Sequence, residues 1–124
     1  EERFKLGLAT IHNENLLENN KFSLFRVRAE KLDNLIKKDN IGFIKIDVEG
    51  HEKNVLMGAE KIIKRCKPNL LIEIEERHTN DKVKNIINFI NDFGYNSFFS
   101  DGKNLIETNK LDNFDTKNNF FFIP

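Results

Sequence analysis

The middle of the chain alternates between the hydrophobic spacing of a strand and that of a helix. Residues 41–47 (IGFIKID) form an apolar run rich in β-branched and aromatic side chains, which predicts a central strand covered on both faces. Between residues 52 and 66 the apolar positions recur every three or four residues, which predicts one amphipathic helix of about four turns. Pro68 ends that helix, and residues 69–75 predict a second strand. These elements indicate a βαβ unit with parallel strands.

The chain continues with one more helix and several short strands. Helical spacing returns over residues 81–93, and Gly94 follows at the usual position of a helix C-cap. The dipeptide Asp101-Gly102 separates two short β-rich runs and predicts a hairpin. The other predicted elements are strands at 3–11, 22–27, 95–99, 104–107 and 118–124 and a short helix at 31–38. The predicted class is α/β, with an antiparallel end to the sheet.

Composition narrows the classes of partner. A chain of 124 residues fits one domain, and its 20 basic and 20 acidic side chains create no overall field for nucleic acid or an anionic membrane. Cys66 is the only cysteine, which excludes an internal disulfide and a Cys-rich zinc site. No apolar run approaches the roughly 20 residues needed to cross a bilayer. We therefore expect a cytoplasmic protein with neither nucleic acid nor a membrane as partner.

Ionisable side chains concentrate where the first strand of the βαβ unit gives way to the helix. Asp47, Glu49, His51 and Glu52 fall within six residues. Ligands of open α/β sheets bind outside the carboxyl ends of the strands, and a parallel neighbour would bring Glu73 or Glu75 to the same edge. Paired carboxylates can hold a divalent cation or act as a general base, and a histidine titrates near neutral pH.

The same residues also have structural interpretations. Asp47, Glu49 and Glu52 could instead accept the free N–H groups at the start of the helix, where acidic side chains are favoured by the helix dipole. Lys45 lies two residues before Asp47 and therefore on the same face of the strand. An ion pair of Lys45 with Asp47 or Glu73 is favoured over a direct catalytic role.

A longer pattern around this corner resembles a known enzyme family. Residues 43–52 (FIKIDVEGHE) are followed by Val55-Leu56, Gly58-Ala59, Pro68 and a strand that carries Glu73, and Leu32-Asp33 precedes them. The order of these motifs is similar to that of the FkbM family of S-adenosylmethionine-dependent methyltransferases. The resemblance implies a Rossmann-like methyltransferase fold with parallel strands, crossover helices and a C-terminal antiparallel hairpin.

The resemblance also implies an activity and a set of site residues. The expected reaction is transfer of a methyl group from S-adenosylmethionine to a hydroxyl of a sugar or other small natural-product-like acceptor. Asp47, Glu49 and His51 are the expected catalytic residues. Lys45, Glu52 and Glu73 are expected to support them. A base such as His51 or Asp47 would take the proton of the acceptor hydroxyl.

The chain departs from the family in its glycines. The family's glycine-rich turn, which holds the amino-acid end of the cofactor, has no counterpart, since no Gly-x-Gly occurs among the six glycines. The acidic residue that takes the cofactor ribose is likewise missing. We therefore expect residues 1–124 to be the C-terminal part of a class I methyltransferase domain that is inactive alone, its cofactor-binding residues being unknown. We also expect an exposed edge on the strand at 41–47, through which two copies can associate.

Two other functions remain open from the sequence. A metal-dependent hydrolase or nuclease could use Asp47, Glu49, His51 and Glu73 around a divalent ion, with Asp47 and Glu73 as the ligands of any metal. The second alternative function is a non-catalytic interaction module that keeps only the fold.

Overall fold

The computed structural model describes residues 26–74, 83–114 and 116–124, so the predicted strand at 3–11 and most of that at 22–27 lie outside the described residues. None of the described helices is both long enough and apolar enough to cross a membrane. The helices are α1 (Leu32–Leu35), α2 (Glu52–Gly58), α3 (Glu60–Cys66), α4 (Val83–Asn91) and a 3-10 turn (Thr108–Lys110), and the strands are β1 (Phe43–Ile46), β2 (Asn69–Glu73), β3 (Asn96–Ser100), β4 (Leu105–Glu107) and β5 (Asn119–Ile123).

The strands form one mixed sheet in the order β1-β2-β5-β3-β4. β1 and β2 run parallel, and α2 and α3 lie between them in the chain, so the predicted βαβ unit is confirmed. β5 pairs antiparallel with both β2 and β3, and β3 with β4. The turn between β3 and β4 contains Gly102 at a φ of 90°, which confirms the predicted hairpin. The α/β class is confirmed, and the mixed strand order is compatible with a Rossmann-like sheet without being specific to it.

The described helices cover one face of the sheet. Ile46, Ile72 and Phe120 lie side by side on that face and are almost completely buried. On the opposite face of β1, Phe43 is 56% exposed and Lys45 is also exposed. The prediction of a strand buried on both faces is therefore wrong for the described residues, because α2, α3 and α4 contribute to one core only. That core contains Ile46, Leu56, Ala59, Ile63, Leu70, Ile72, Ile74, Val83, Ile86, Ile87, Ile90, Tyr95, Phe120 and Phe122.

The predicted single helix over residues 52–66 is two helices. The break lies at Ala59, whose φ of −116° and ψ of 7° are not helical. Asp33 supplies the acceptors that the second helix needs, because its two carboxylate oxygens accept the N–H groups of Lys61 and Ile62, each at 3.0 Å. The hydrophobic spacing continues across the break, so periodicity alone could not reveal it.

Tyr95, directly before β3, forms a hydrogen bond with Pro68, directly before β2. Its hydroxyl donates to the carbonyl of Pro68 at 2.9 Å, and the ammonium of Lys67 lies 5.2 Å from the centre of its ring. Burial raises the pKa of Tyr95 to about 12, with a smaller contribution from the nearby thiol of Cys66. The side chain is only 4% exposed, so this contact belongs to the core.

We expect Asp33→Ala to lower the free energy of unfolding by about 1–2 kcal/mol, because two N–H groups at the start of α3 lose their acceptor. Urea denaturation followed by circular dichroism measures the change. Asp39→Ala is the matched control, since the Asp39 side chain is 77% exposed and pairs with Arg65 at the surface. Equal effects of the two substitutions would contradict the capping role of Asp33.

We expect alkaline pH to destabilise the fold through Tyr95. Because the folded pKa of about 12 exceeds the ordinary value, the stabilisation is complete below about pH 10 and is lost as the pH rises through about 12. The free energy of unfolding should fall by about 2–3 kcal/mol more in the native protein than in Tyr95→Phe over this range. Tyr95 is the only tyrosine, so ultraviolet absorbance of tyrosinate reports its titration directly. Titration near pH 10 in the folded protein would refute this.

Candidate active site

The chain turns sharply between β1 and α2, in a segment of residues 47–52 that we call the β1–α2 corner. Glu49 has a φ of 51° and Gly50 a φ of 98°, so two successive residues lie in the left-handed region. Glycine adopts this conformation without strain, whereas a glutamate does so rarely. Strained backbone of this kind is often found at functional sites. A glycine at this position is a sequence signal for such a turn, whereas nothing in the sequence marks the left-handed conformation of Glu49.

Glu52 is the buried end of the corner. It is the first residue of α2 and is only 2% exposed. Its Oε1 accepts the N–H of Gly50 at 2.9 Å, and its Oε2 is buried with no hydrogen-bond partner among the described residues. The prediction that Glu52 caps the helix is wrong, because the N–H that Glu52 accepts lies before the helix and not in its first turn.

Asp47 is the exposed end of the corner, and Lys45 of β1 contacts it. Lys45 Nζ donates to Asp47 Oδ2 at 2.9 Å, and the two side chains are 52% and 41% exposed. This hydrogen bond raises the pKa of Lys45, as do the charge of Asp47 and, to a smaller extent, that of Glu73. The predicted ion pair is confirmed with Asp47 as its partner. The Asp47 carboxylate is therefore held in one direction and remains accessible to a substrate.

Glu73 and Asp47 lie at the carboxyl ends of two neighbouring parallel strands, and therefore on the same side of the sheet. The β1–β2 register pairs Ile46 with Ile72, so its continuation by one residue sets Asp47 beside Glu73. Glu73 Oε1 accepts a hydrogen bond from Asn118 Nδ2 at 3.1 Å. Sequence reasoning missed Asn118, because it is far away in the chain and reaches the edge only through the pairing of β5 with β2.

His51 lies between the two ends of the corner and is half-buried. The side-chain amide nitrogen of Asn54 lies 3.2 Å from His51 Nδ1. An amide nitrogen can only donate, so Nδ1 is the acceptor and the neutral ring carries its proton on Nε2. Asn54 was also missed, although a polar residue three positions after a histidine at a helix start is a usable signal.

The donor set does not support a metal site. Within residues 26–74, 83–114 and 116–124, no group of three or more histidine, cysteine, aspartate and glutamate side chains could hold a metal ion. Asp47 and Glu73 were the predicted ligands of any metal, and Asp47 is instead bound to Lys45. The hydrolase or nuclease alternative therefore has no support.

Comparison with known proteins decides the family. A model of the Methyltransferase FkbM domain matches residues 5–97, which include β1, β2 and the whole β1–α2 corner. The chain belongs to the FkbM methyltransferase family. No curated protein and no solved structure matches it. The FkbM assignment made from residues 43–52 is thus confirmed, and it points to methyltransferase activity.

We expect the neutral His51 ring of this FkbM protein to carry its proton on Nε2, which nitrogen-15 chemical shifts of the ring report directly. Asn54→Asp should move the proton to Nδ1, because a carboxylate accepts where the amide donated. Asn88→Asp is the control, since Asn88 is exposed on α4 and the substitution adds the same charge. A proton on Nδ1 in the native protein would contradict the Asn54 contact.

Proposed function

We propose that this FkbM protein forms part of an S-adenosylmethionine-dependent O-methyltransferase that acts on a hydroxyl of a sugar or other small natural-product-like acceptor. The observation that carries the proposal is the partly exposed carboxylate of Asp47 at the carboxyl end of a parallel strand, held by Lys45 at 2.9 Å. Family membership supports the methyl transfer, and the position at the strand end is where open α/β sheets bind ligands.

The reaction needs a base beside the acceptor hydroxyl. S-adenosylmethionine, when bound, supplies an electrophilic methyl group on a positively charged sulfur. The acceptor oxygen must lose its proton as it takes the methyl group. Asp47 is the proposed base, because the contact from Asn54 leaves His51 protonated on Nε2. The exposed Glu49 then accepts a hydrogen bond from the acceptor and orients it, whereas the Nε2–H of His51 is buried.

The described residues fit only the acceptor side of such a site. The acidic corner suits a hydroxyl substrate. The sequence contains no Gly-x-Gly turn that could form a cradle for the amino-acid end of the cofactor. We propose that this cradle comes from protein outside the 124 residues, and that the chain by itself does not catalyse transfer. Lys45 supports the reaction by holding the carboxylate of Asp47, and the charge of Glu73 helps to raise the pKa of Lys45.

Calorimetric titration with S-adenosylhomocysteine tests whether the cofactor cradle lies outside the 124 residues. It is carried out on the 124-residue chain and on the protein extended by its upstream coding sequence, in the same buffer. We expect heat of binding from the extended protein alone. Binding of equal affinity by the short chain would overturn the proposed division, and absence of binding by both would overturn the proposed cofactor.

Transfer of a radiolabelled methyl group from S-adenosylmethionine to a panel of mono- and disaccharides tests the base. We expect Asp47→Asn to reduce kcat by about 100- to 1,000-fold, because general-base catalysis contributes that much. Asp92→Asn is the control, because Asp92 is exposed beyond the end of α4 and should leave kcat unchanged. An Asp47→Asn variant as active as the native enzyme would remove Asp47 from the mechanism.

A further inference from the structure

Glu52 combines burial with charge in a way that its position in a helix does not explain. Within the described ranges it is the one charged side chain that is fully buried. Withdrawal of a carboxylate from water costs several kcal/mol unless hydrogen bonds compensate for it. Here one oxygen is satisfied by Gly50, and the other has no described partner. An apolar residue of similar size would avoid this desolvation cost.

The bond that Glu52 makes identifies what the carboxylate does. A side chain that caps a helix accepts an N–H group of the first turn, as Asp33 does for α3. Glu52 instead reaches back two residues to Gly50, and His51 at the N-cap position makes no capping bond of its own. The carboxylate thus binds the turn before the helix.

That turn is the strained part of the corner. Glu49 and Gly50 both have positive φ, and a non-glycine residue in this region persists only when its surroundings hold it there. The bond from Gly50 to Glu52 closes the turn from its buried side at 2.9 Å. The direction in which the side chains of Glu49 and His51 leave the backbone follows from the turn conformation.

We propose that Glu52 is a positioning residue, whose buried carboxylate holds the Glu49–Gly50 turn in its left-handed form and so sets the places of the Glu49 and His51 side chains. The catalytic consequence rests on the proposed function, whereas the geometric claim does not. Glu52 touches no substrate in this scheme and acts through the backbone of Gly50.

Amide hydrogen exchange at Gly50, followed by nuclear magnetic resonance, tests the geometric claim. We expect Glu52→Ala to speed exchange at Gly50 by at least about tenfold, because the N–H loses its acceptor. Glu52→Gln keeps an oxygen at the same place and should stay within about threefold of the native rate. Glu60→Ala is the matched control, because Glu60 is also the first residue of a helix but lies away from the corner. Unchanged exchange in Glu52→Ala would overturn the proposal.

Kinetics of methyl transfer separate positioning from general stability. In the extended enzyme, at a temperature where each variant is folded, Glu52→Ala should lower kcat by about 100-fold with little change in KM, since small misplacements of catalytic groups cost that much. Glu52→Gln should recover most of the loss. Equal losses in both variants would overturn the acceptor role, because the glutamine retains the acceptor.

A second substitution keeps the test decisive if Glu52→Ala does not fold. Gly50→Ala destabilises the same turn through its backbone, because alanine is strained at a φ of 98°. By itself it should lower kcat with little change in KM, as Glu52→Ala does, whereas an unchanged kcat would refute the role of the turn. If no form of the protein transfers methyl groups, the proposed function fails, and hydrogen exchange at Gly50 still decides the role of Glu52.

Discussion

The parallel pairing of β1 with β2 is the constraint on which the candidate site depends. Its register aligns Ile46 with Ile72 and continues to Asp47 beside Glu73, so two carboxylates from distant parts of the chain reach one edge. The same pairing is possible only because α2 and α3 bridge the strands across the buried face of the sheet. A shift of the register by one residue would turn every side chain of β1 to the other face and separate the side chain of Asp47 from that of Glu73.

The charged side chains at the β1–α2 corner differ in their exposure to solvent. Asp47 and Lys45 remain half-exposed, where an ion pair fixes direction while leaving access to a substrate. Glu52 is buried, where its carboxylate can hold the backbone of Gly50 in a conformation that the chain would otherwise leave. In the proposed mechanism, chemistry and positioning belong to different carboxylates within six residues. A methyl acceptor would meet only the exposed ones.

Hydrophobic spacing predicted the helices and strands that face the core, because those residues repeat with the period of their element. It predicted neither the break at Ala59 nor the uncovered face of β1, because both depend on what the rest of the fold places there. The motif around Asp47 identified the family, and it predicted the candidate site. The contacts of Asn54 and Asn118 were missed, since a hydrogen bond from a surface amide leaves no periodic signal and Asn118 arrives from the far end of the sequence.

The most direct test is a crystal structure of the extended protein with S-adenosylhomocysteine bound. The account requires the sulfur of that molecule to face the β1–α2 corner, with the carboxylate of Asp47 next to the space that an acceptor hydroxyl would occupy. Glu52 should still accept the N–H of Gly50. A sulfur atom that faces the β3–β4 hairpin or the exposed side of α4 would contradict it, because the acidic corner would then have no part in the transfer.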